Sequence, residues 1–235
     1  MKKGSGIIKG CIPCLSAIAI MYAGTLVVLY FLSLVCFFLG MEVEEVADER
    51  IWSNLGLMAT GCVQVSYIIV FGKFYQKKKV VLNSAQDKKC LSRLDILWLT
   101  VVGIVLQFVV SMLLIYILPF FPDLNESYQE LSKSLLPGNS ILAFVVTGFL
   151  APIGEEYIFR GASLLLLEQG FAFWKANIIQ AFLFGLYHMN IVQFLYAFVI
   201  GMILGLIYKK YRNLLACIWV HAVINILANV ISFIG

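Results

Sequence analysis

The sequence predicts an all-α protein, a polytopic membrane helical bundle of about seven transmembrane helices. Two observations and one physical constraint lead to this prediction. Hydrophobic residues make up 62% of the 235 residues and charged residues only 13%, and no soluble domain of this size can bury that much apolar surface. The apolar residues come in runs of about 20, the length of a helix that crosses a bilayer. Backbone groups inside lipid must be paired within their own span, so each run is predicted to be a helix.

The length of the chain fits about seven such spans joined by short loops. We therefore expect residues 1–235 to form a single integral membrane domain without a separate soluble part. The first run follows a basic start, but it is longer than the apolar region of a signal peptide, which has about 7 to 15 residues. It is expected to be an uncleaved span. In chain order, the spans are predicted at about residues 11–40, 55–74, 94–118, 141–167, 173–188, 191–208 and 214–234.

The charges of the loops predict the orientation of the bundle, because basic side chains flank spans on the cytoplasmic side. Residues 42–49 and 120–140 are acidic, whereas the loop after the second span and the turn after the sixth are basic. This pattern places the amino terminus in the cytoplasm and the carboxy terminus outside. The net charge of +4 comes from these loops and indicates no nucleic-acid partner. The basic residues of these two cytoplasmic segments are Lys73, Lys77, Lys78, Lys79, Lys88, Lys89, Arg93, Lys209, Lys210 and Arg212.

The external loop before the fourth span contains a candidate interfacial helix over residues 124–136. The third span is expected to end at Pro119, because proline lacks the N–H that a helix needs. A compact chain with such short loops is typical of a bacterial protein, so the predicted location is the bacterial plasma membrane.

The fourth span contains three charged residues near its middle, Glu155, Glu156 and Arg160. One central charge costs roughly 2.5 to 3.5 kcal/mol, so three unpaired charges would oppose insertion by about 8 to 10 kcal/mol. Glu156 and Arg160 are four residues apart and share a helix face, so they are predicted to pair. Glu155 is rotated by about 100° from its neighbour and remains a candidate general base.

The two histidines of the chain also fall inside predicted spans. His188 follows Phe184 by one helical turn, and His221 precedes Asn225 by one turn. At about 1.5 Å per residue, Glu155 and these polar residues lie roughly 12 to 24 Å from the cytoplasmic ends of their spans. They can therefore meet at one level. Each alone is consistent with helix packing, since His and Asn commonly bridge helices for about 1 kcal/mol. Together they favour a functional site.

Three motifs on successive parts of the chain resemble those of the CAAX-protease and bacteriocin-processing family of intramembrane proteases. The resemblance covers about residues 140–234, which would be the core catalytic helices, and the first three spans carry no motif. The motifs are Glu155-Glu156-x-x-x-Arg160, Phe184-x-x-x-His188 and His221-x-x-x-Asn225.

The resemblance implies hydrolysis of peptide bonds inside the membrane. By family analogy, Glu155 with His188 activates the attacking water, and His221 with Asn225 stabilises the oxyanion. The Glu156–Arg160 pair would hold the geometry of the site. The implied substrates are peptides or membrane-anchored proteins in the lipid bilayer, processed as leader or signalling peptides or in CAAX fashion.

A metal is an open alternative at this site. Glu155, His188 and His221 are a legitimate ligand set for catalytic zinc. The sequence lacks the HExxH helix that places two histidine ligands one turn apart, and Asn225 is a better hydrogen-bond donor than a metal ligand. A glutamate mechanism without a cofactor is therefore favoured, with zinc as the alternative.

Two other classes of protein are also compatible with these residues. Buried Glu, Arg and His build proton relays in small ion-coupled or proton-coupled transporters, although the sequence shows no repeated half with matching broken helices. A non-catalytic member of the family, such as a bacteriocin self-immunity protein or a scaffold, is the other alternative.

Overall fold

The computed structural model describes residues 3–39, 49–82, 90–135 and 140–234. Within these ranges the chain is almost entirely helical and contains no strand, which confirms the predicted all-α polytopic bundle. Three predicted features lie outside the described residues. They are most of the acidic loop after the first span, the basic residues Lys88 and Lys89, and the dipeptide Pro137-Gly138.

The helices follow the predicted order of spans, with one long helix built from several segments. The five consecutive segments Ser140–Val145, Val146–Leu150, Ala151–Glu156, Tyr157–Leu164 and Leu165–Leu167 continue one another and are here called α5. The remaining helices are α1 (Lys3–Leu39), α2 (Glu49–Leu82), α3 (Arg93–Ile117), α4 (Pro122–Leu135), α6 (Phe173–Tyr187), α7 (Ile191–Tyr211) and α8 (Leu214–Ile234).

Six stretches of the described residues are long and apolar enough to cross a membrane, and the protein is an integral membrane protein. The predicted fifth span is present as α6, but its 15 residues are fewer than the roughly 20 that cross the hydrocarbon core. A tight turn joins it to α7, and the two helices pack against each other as a hairpin. The six stretches are Ile7–Gly24, Ser53–Lys78, Arg93–Phe120, Ile141–Leu167, Ile191–Tyr211 and Leu214–Ser232.

The ends of α3 and the position of α4 agree with the sequence pattern. The side chain of Ser92 accepts a hydrogen bond from the backbone of Asp95 at 3.1 Å, which caps the first turn of α3. The helix ends at Ile117 and a 3₁₀ turn containing Pro119 follows. The helix predicted over residues 124–136 is α4. There Ser127 accepts a hydrogen bond from Asn190 at 3.1 Å, so α4 covers the turn between α6 and α7.

The charged helix α5 lies at the centre of the bundle. Half of its predicted span is buried inside the protein, against 17% for α3, because α5 contacts α1, α2, α6 and α8. Ile158, Phe159 and Ala162 are fully buried, and the hydroxyl of Ser163 donates to the backbone oxygen of Gly10 in α1 at 2.6 Å. The neighbouring helices therefore shield the charges of α5 from lipid.

Two π-helical segments in α5, Val146–Leu150 and Tyr157–Leu164, flank the residues that carry the two glutamates. The sequence pattern predicts a regular α-helix here and gives no sign of the two π-helical segments. A π-turn places one extra residue in the turn and commonly marks a functional site. The register of side chains in α5 consequently shifts on both sides of Glu155 and Glu156.

Gly103 is a point of close contact between α3 and α8, and its replacement is expected to destabilise the bundle. A Cβ at this position would lie 2.8 Å from a methyl carbon of Val223 and 3.1 Å from the backbone oxygen of Val220. Gly103→Ala should therefore cost about 1 to 3 kcal/mol of stability through overpacking, measured by unfolding in detergent. Gly56→Ala in α2 is the matched control, because a Cβ there meets no atom within 4 Å. Equal stability of the two variants would contradict the prediction.

Candidate active site

The fourth span contains a fully buried ion pair. The guanidinium Nη1 of Arg160 lies 2.7 Å from Oε1 of Glu156, and both side chains have no exposed surface. This is the i, i+4 contact expected from the sequence. Nη2 of Arg160 also donates to the backbone oxygen of Gly201 in α7 at 3.1 Å. The guanidinium lies 4.6 Å from the ring centroid of Phe184, within the range of a cation–π contact.

His221 reaches from α8 to both glutamates of α5. Its Nδ1 lies 2.9 Å from Oε1 of Glu156, and its Nε2 lies 3.7 Å from Oε2 of Glu155. Because a carboxylate only accepts hydrogen bonds, Nδ1 carries the proton in the shorter contact. The longer separation exceeds a direct hydrogen bond, but a single oxygen atom can lie within reach of both groups.

Phe184 separates the two histidines. Its ring centroid lies 5.0 Å from that of His188 and 5.6 Å from that of His221. The Nδ1 of His188 lies 2.8 Å from the backbone oxygen of Phe184, and because this oxygen only accepts, Nδ1 is the donor. A neutral His188 therefore presents its Nε2 as a hydrogen-bond acceptor.

A tight turn places His188 at the tip of the α6–α7 hairpin. Met189 has a φ of 53°, the left-handed conformation that reverses the chain direction. Asn190 then caps α7, because its side-chain oxygen accepts hydrogen bonds from the backbone of Val192 and Gln193 at 3.0 and 3.1 Å. The turn at Met189 and the cap at Asn190 therefore fix the position of His188, which immediately precedes them.

The π-segment at the start of α5 binds the side chain of Asn225. The backbone of Ala151 donates to the oxygen of Val146, an i to i−5 bond that sets the π register. In that register the next donor to Thr147 would be residue 152, which is a proline without an N–H. The Nδ2 of Asn225 takes its place and donates to the backbone oxygen of Thr147 at 2.9 Å. Since an amide nitrogen carries two N–H donors, this contact leaves one of them available.

The structure brings some of the predicted site residues into direct contact and places others beside them. Glu156, Arg160 and His221 are joined by contacts of 2.7 and 2.9 Å, and Glu155 lies 3.7 Å from His221. His188 contacts this group through the ring of Phe184. Among the described side chains no hydrogen bond links His188 to Glu155, so His221 is the imidazole within salt-bridge distance of Glu155.

Polar residues of α2 and α6 near Glu155 escaped the sequence analysis. Gln64 donates to the hydroxyl of Tyr187 at 3.2 Å, and Tyr67 donates to the backbone oxygen of Ala17. Gln64 also lies against Gly154, the residue before Glu155. The only signal in the sequence was an amide within an otherwise apolar run, which a helix-packing role explains equally well.

Two buried amide side chains of α6, Gln180 and Asn177, lie next to the backbone oxygen that Arg160 binds. Gln180 donates to the backbone oxygen of Gly201 at 3.0 Å, which is the oxygen that Arg160 also binds, and to Asn177 at 2.8 Å. Asn177 donates in turn to the backbone oxygen of Met202 at 3.0 Å. These contacts fix α6 against α7 where the arginine enters.

The predicted alternative of zinc at Glu155, His188 and His221 finds no matching arrangement of ligands. In the described part of the chain, no group of three His, Cys, Asp or Glu side chains is placed to hold a metal ion. The contacts of His221 and His188 through Nδ1, with Glu156 at 2.9 Å and with the backbone of Phe184 at 2.8 Å, leave both Nε2 atoms free and do not by themselves exclude a metal. The argument against zinc is therefore the separation of the three side chains, and the metal-free mechanism stays a prediction.

Carboxylates, imidazoles and a paired arginine thus lie together in the core of a polytopic helical bundle. A family model described as type II CAAX prenyl endopeptidase Rce1-like matches residues 137–227, less than half of the chain. This match confirms the resemblance seen in the sequence. The family indicates a CAAX-type protease acting in the membrane. No curated protein and no solved structure matches the chain.

Proposed function

We propose that the protein is an intramembrane endopeptidase in which Glu155 is the general base that activates water for attack on a peptide bond. The observation that carries this proposal is His221, held by the two buried carboxylates, at 2.9 Å from Glu156 and 3.7 Å from Glu155. Two atoms 3.7 Å apart can both lie at about 3 Å from one reacting oxygen. A site that reaches both a base and a donor at about 3 Å is what hydrolysis requires.

In this proposal the attacking water gives its proton to Glu155. General-base catalysis of this kind contributes about 10²- to 10⁴-fold to the rate. His188 assists as a second acceptor, because its Nδ1 donates to Phe184 and leaves Nε2 free for a proton. The proton then passes to the leaving amine, so that the carboxylate is restored after each turnover.

The oxyanion of the intermediate would be stabilised by His221 and Asn225. Nδ1 of His221 donates to Glu156, and a proton on its Nε2 would give the imidazole a second donor for the oxyanion. The second N–H of Asn225 adds another donor, and loss of one such donor typically costs about 10²- to 10³-fold in kcat.

The Glu156–Arg160 pair holds the imidazole rather than taking part in proton transfer. Glu156 accepts from Nδ1 of His221 and thereby fixes its tautomer and orientation, as a buried carboxylate does in hydrolytic triads. Arg160 neutralises this carboxylate and anchors it to Gly201. The pair is therefore a positioning element for His221.

We further propose that substrates are peptides or membrane-anchored proteins presented from the bilayer, with the site opening towards the cytoplasm. A cavity of about 630 Å³ lies between α3, α5 and α8. Its apolar lining includes Ile153, Ala222 and Ile226, which neighbour site residues in the sequence. Such a cavity suits the apolar part of a substrate, such as a lipid-modified cysteine or a membrane-embedded segment.

The experiment that tests the function is cleavage by the purified full chain in liposomes. Three peptides are supplied: one ending in a farnesylated CAAX sequence, the same peptide without the lipid, and a leader-type peptide. We expect at least one to be cleaved, with the cut mapped by mass spectrometry. Proton or solute flux through the liposomes without cleavage would instead support a transporter. Absence of both would favour the immunity or scaffold alternative.

Chelation tests the proposed absence of a metal from the mechanism. Because the described ligands do not form a three-ligand site, pretreatment with 1,10-phenanthroline followed by desalting should leave kcat within about twofold of the untreated enzyme. The measurement is peptide turnover in liposomes, with a known zinc peptidase as a positive control for chelation. Loss of activity that added zinc restores would contradict the metal-free mechanism.

A further inference from the structure

Gln64 touches the helix that carries Glu155, although it lies in α2, outside the residues matched by the family model. Its side chain is 2% exposed and lies against Gly154, the residue before Glu155. A Cβ added to Gly154 would be 3.3 Å from the backbone oxygen of Gln64 and closer still to its Oε1. A side chain at position 154 would therefore have to displace the end of the Gln64 side chain.

The other end of the same side chain reaches the helix that carries His188. Nε2 of Gln64 donates to the hydroxyl of Tyr187 at 3.2 Å, and Tyr187 immediately precedes His188. Tyr187 is 4% exposed, so the contact lies inside the protein. Gln64 thus connects the residue before Glu155 to the residue before His188.

The free energy of this arrangement argues against a purely structural role. Oε1 of Gln64 is buried and has no hydrogen-bond partner among the described residues. Such an unsatisfied carbonyl costs stability, whereas an apolar side chain of the same shape would avoid that cost. Such a local loss of stability is typical of active sites, where activity depends on strained or destabilised groups.

We propose that Gln64 is a positioning residue of the active site, which sets the separation between Glu155 on α5 and His188 on α6. The inference rests on the proposed function, in which these two side chains act on one water. Misplacement of catalytic groups by about 1 Å can cost about 10²-fold in rate. Because Gln64 acts through the helices that carry Glu155 and His188, its loss lowers kcat and leaves KM unchanged.

The test replaces Gln64 with methionine, which keeps the length of the side chain and removes the hydrogen bond. Gln64→Met is expected to lower kcat by about 10- to 100-fold with KM unchanged. The unfolding temperature in detergent should stay close to that of the wild type, because removal of the unpaired Oε1 offsets the loss of a partner for the Tyr187 hydroxyl. Gln107→Met in α3 is the matched control. Gln107 is also buried, at 8% exposure, and donates only within its own helix to Ser111 at 3.2 Å, so kcat should be unchanged. Wild-type kcat in Gln64→Met would overturn the proposal.

Tyr187→Phe removes the same hydrogen bond from the other side and serves as the second variant if Gln64→Met does not fold. Its kcat should fall similarly, and the double variant should be no worse than the more affected single variant, since the changes break one link. A thermal-unfolding cycle of the same variants needs no substrate. Additive stability effects would overturn the link itself, whereas coupled effects without any cleavage by the wild type would contradict only the proposed function.

Discussion

Glu155→Gln is expected to abolish peptide cleavage while leaving the fold intact. The substitution preserves the size of the side chain and its place 3.7 Å from His221, but an amide cannot accept the proton of the attacking water. Since a general base contributes up to about 10⁴-fold, we expect kcat to fall by about 10³-fold or more. The measurement is turnover of a cleaved peptide in liposomes, with the unfolding temperature recorded for the same preparations.

Glu168→Gln is the control for the Glu155 experiment. Glu168 forms a partly exposed salt bridge with Arg212 at 2.8 Å, away from the buried cluster, so its loss should leave kcat near that of the wild type. Unchanged turnover in Glu155→Gln would remove the basis of the proposed mechanism. A phenotype that persists in cells carrying Glu155→Gln would point to the immunity or scaffold alternative.

Residue spacing along single helices was enough to predict the core of the candidate site. The contact between Glu156 and Arg160 follows from a four-residue separation on one helix. The depth count along the spans predicted that Glu155, His188, His221 and Asn225 could meet at one level. It did not predict that His221, rather than His188, would lie beside the glutamates. Both arguments use only the pitch and rise of a regular α-helix. The contact between Glu156 and Arg160 forms at 2.7 Å although Arg160 lies in the π-helical segment Tyr157–Leu164.

The parts that the sequence did not predict depend on contacts between helices. The π register before Ala151 combines with a proline at 152, and the Thr147 oxygen that this leaves is bound by Asn225, 78 residues along the chain. The residue pattern along a single helix cannot predict a contact between two helices so far apart in the sequence. The length of α6 is likewise set by the turn at Met189, where the backbone adopts a left-handed conformation. Methionine is not a residue that predicts this conformation.

The role inferred for Gln64 shows the same limit of periodicity. A lone amide in an apolar span is equally compatible with helix packing. Only the position of Gly154 against its side chain and of Tyr187 at its other end links it to the site. The family model matches residues 137–227 and therefore gives no information on α2. Nevertheless α2 packs directly on the segment of α5 that carries the glutamates.

Arg160→Ala is expected to cause the largest loss of stability of any change considered. The substitution leaves Glu156 as a buried charge whose remaining described partner is His221, and it removes a donor from the backbone oxygen of Gly201. Breaking a buried pair by removing one partner typically costs about 3 to 5 kcal/mol. The measurement is the free energy of unfolding in detergent, compared with the wild type.

Arg212→Ala is the matched control, because its salt bridge with Glu168 is partly exposed, at 27% and 17%, and such pairs contribute only about 0 to 1 kcal/mol. The double variant Arg160→Ala with Glu156→Gln separates the cause, since it removes the stranded charge together with its partner. We expect it to recover part of the lost stability, although cleavage should remain impaired because His221 loses the carboxylate that orients it. Equal destabilisation by Arg160→Ala and Arg212→Ala would show that the buried pair is not what holds α5 against α7.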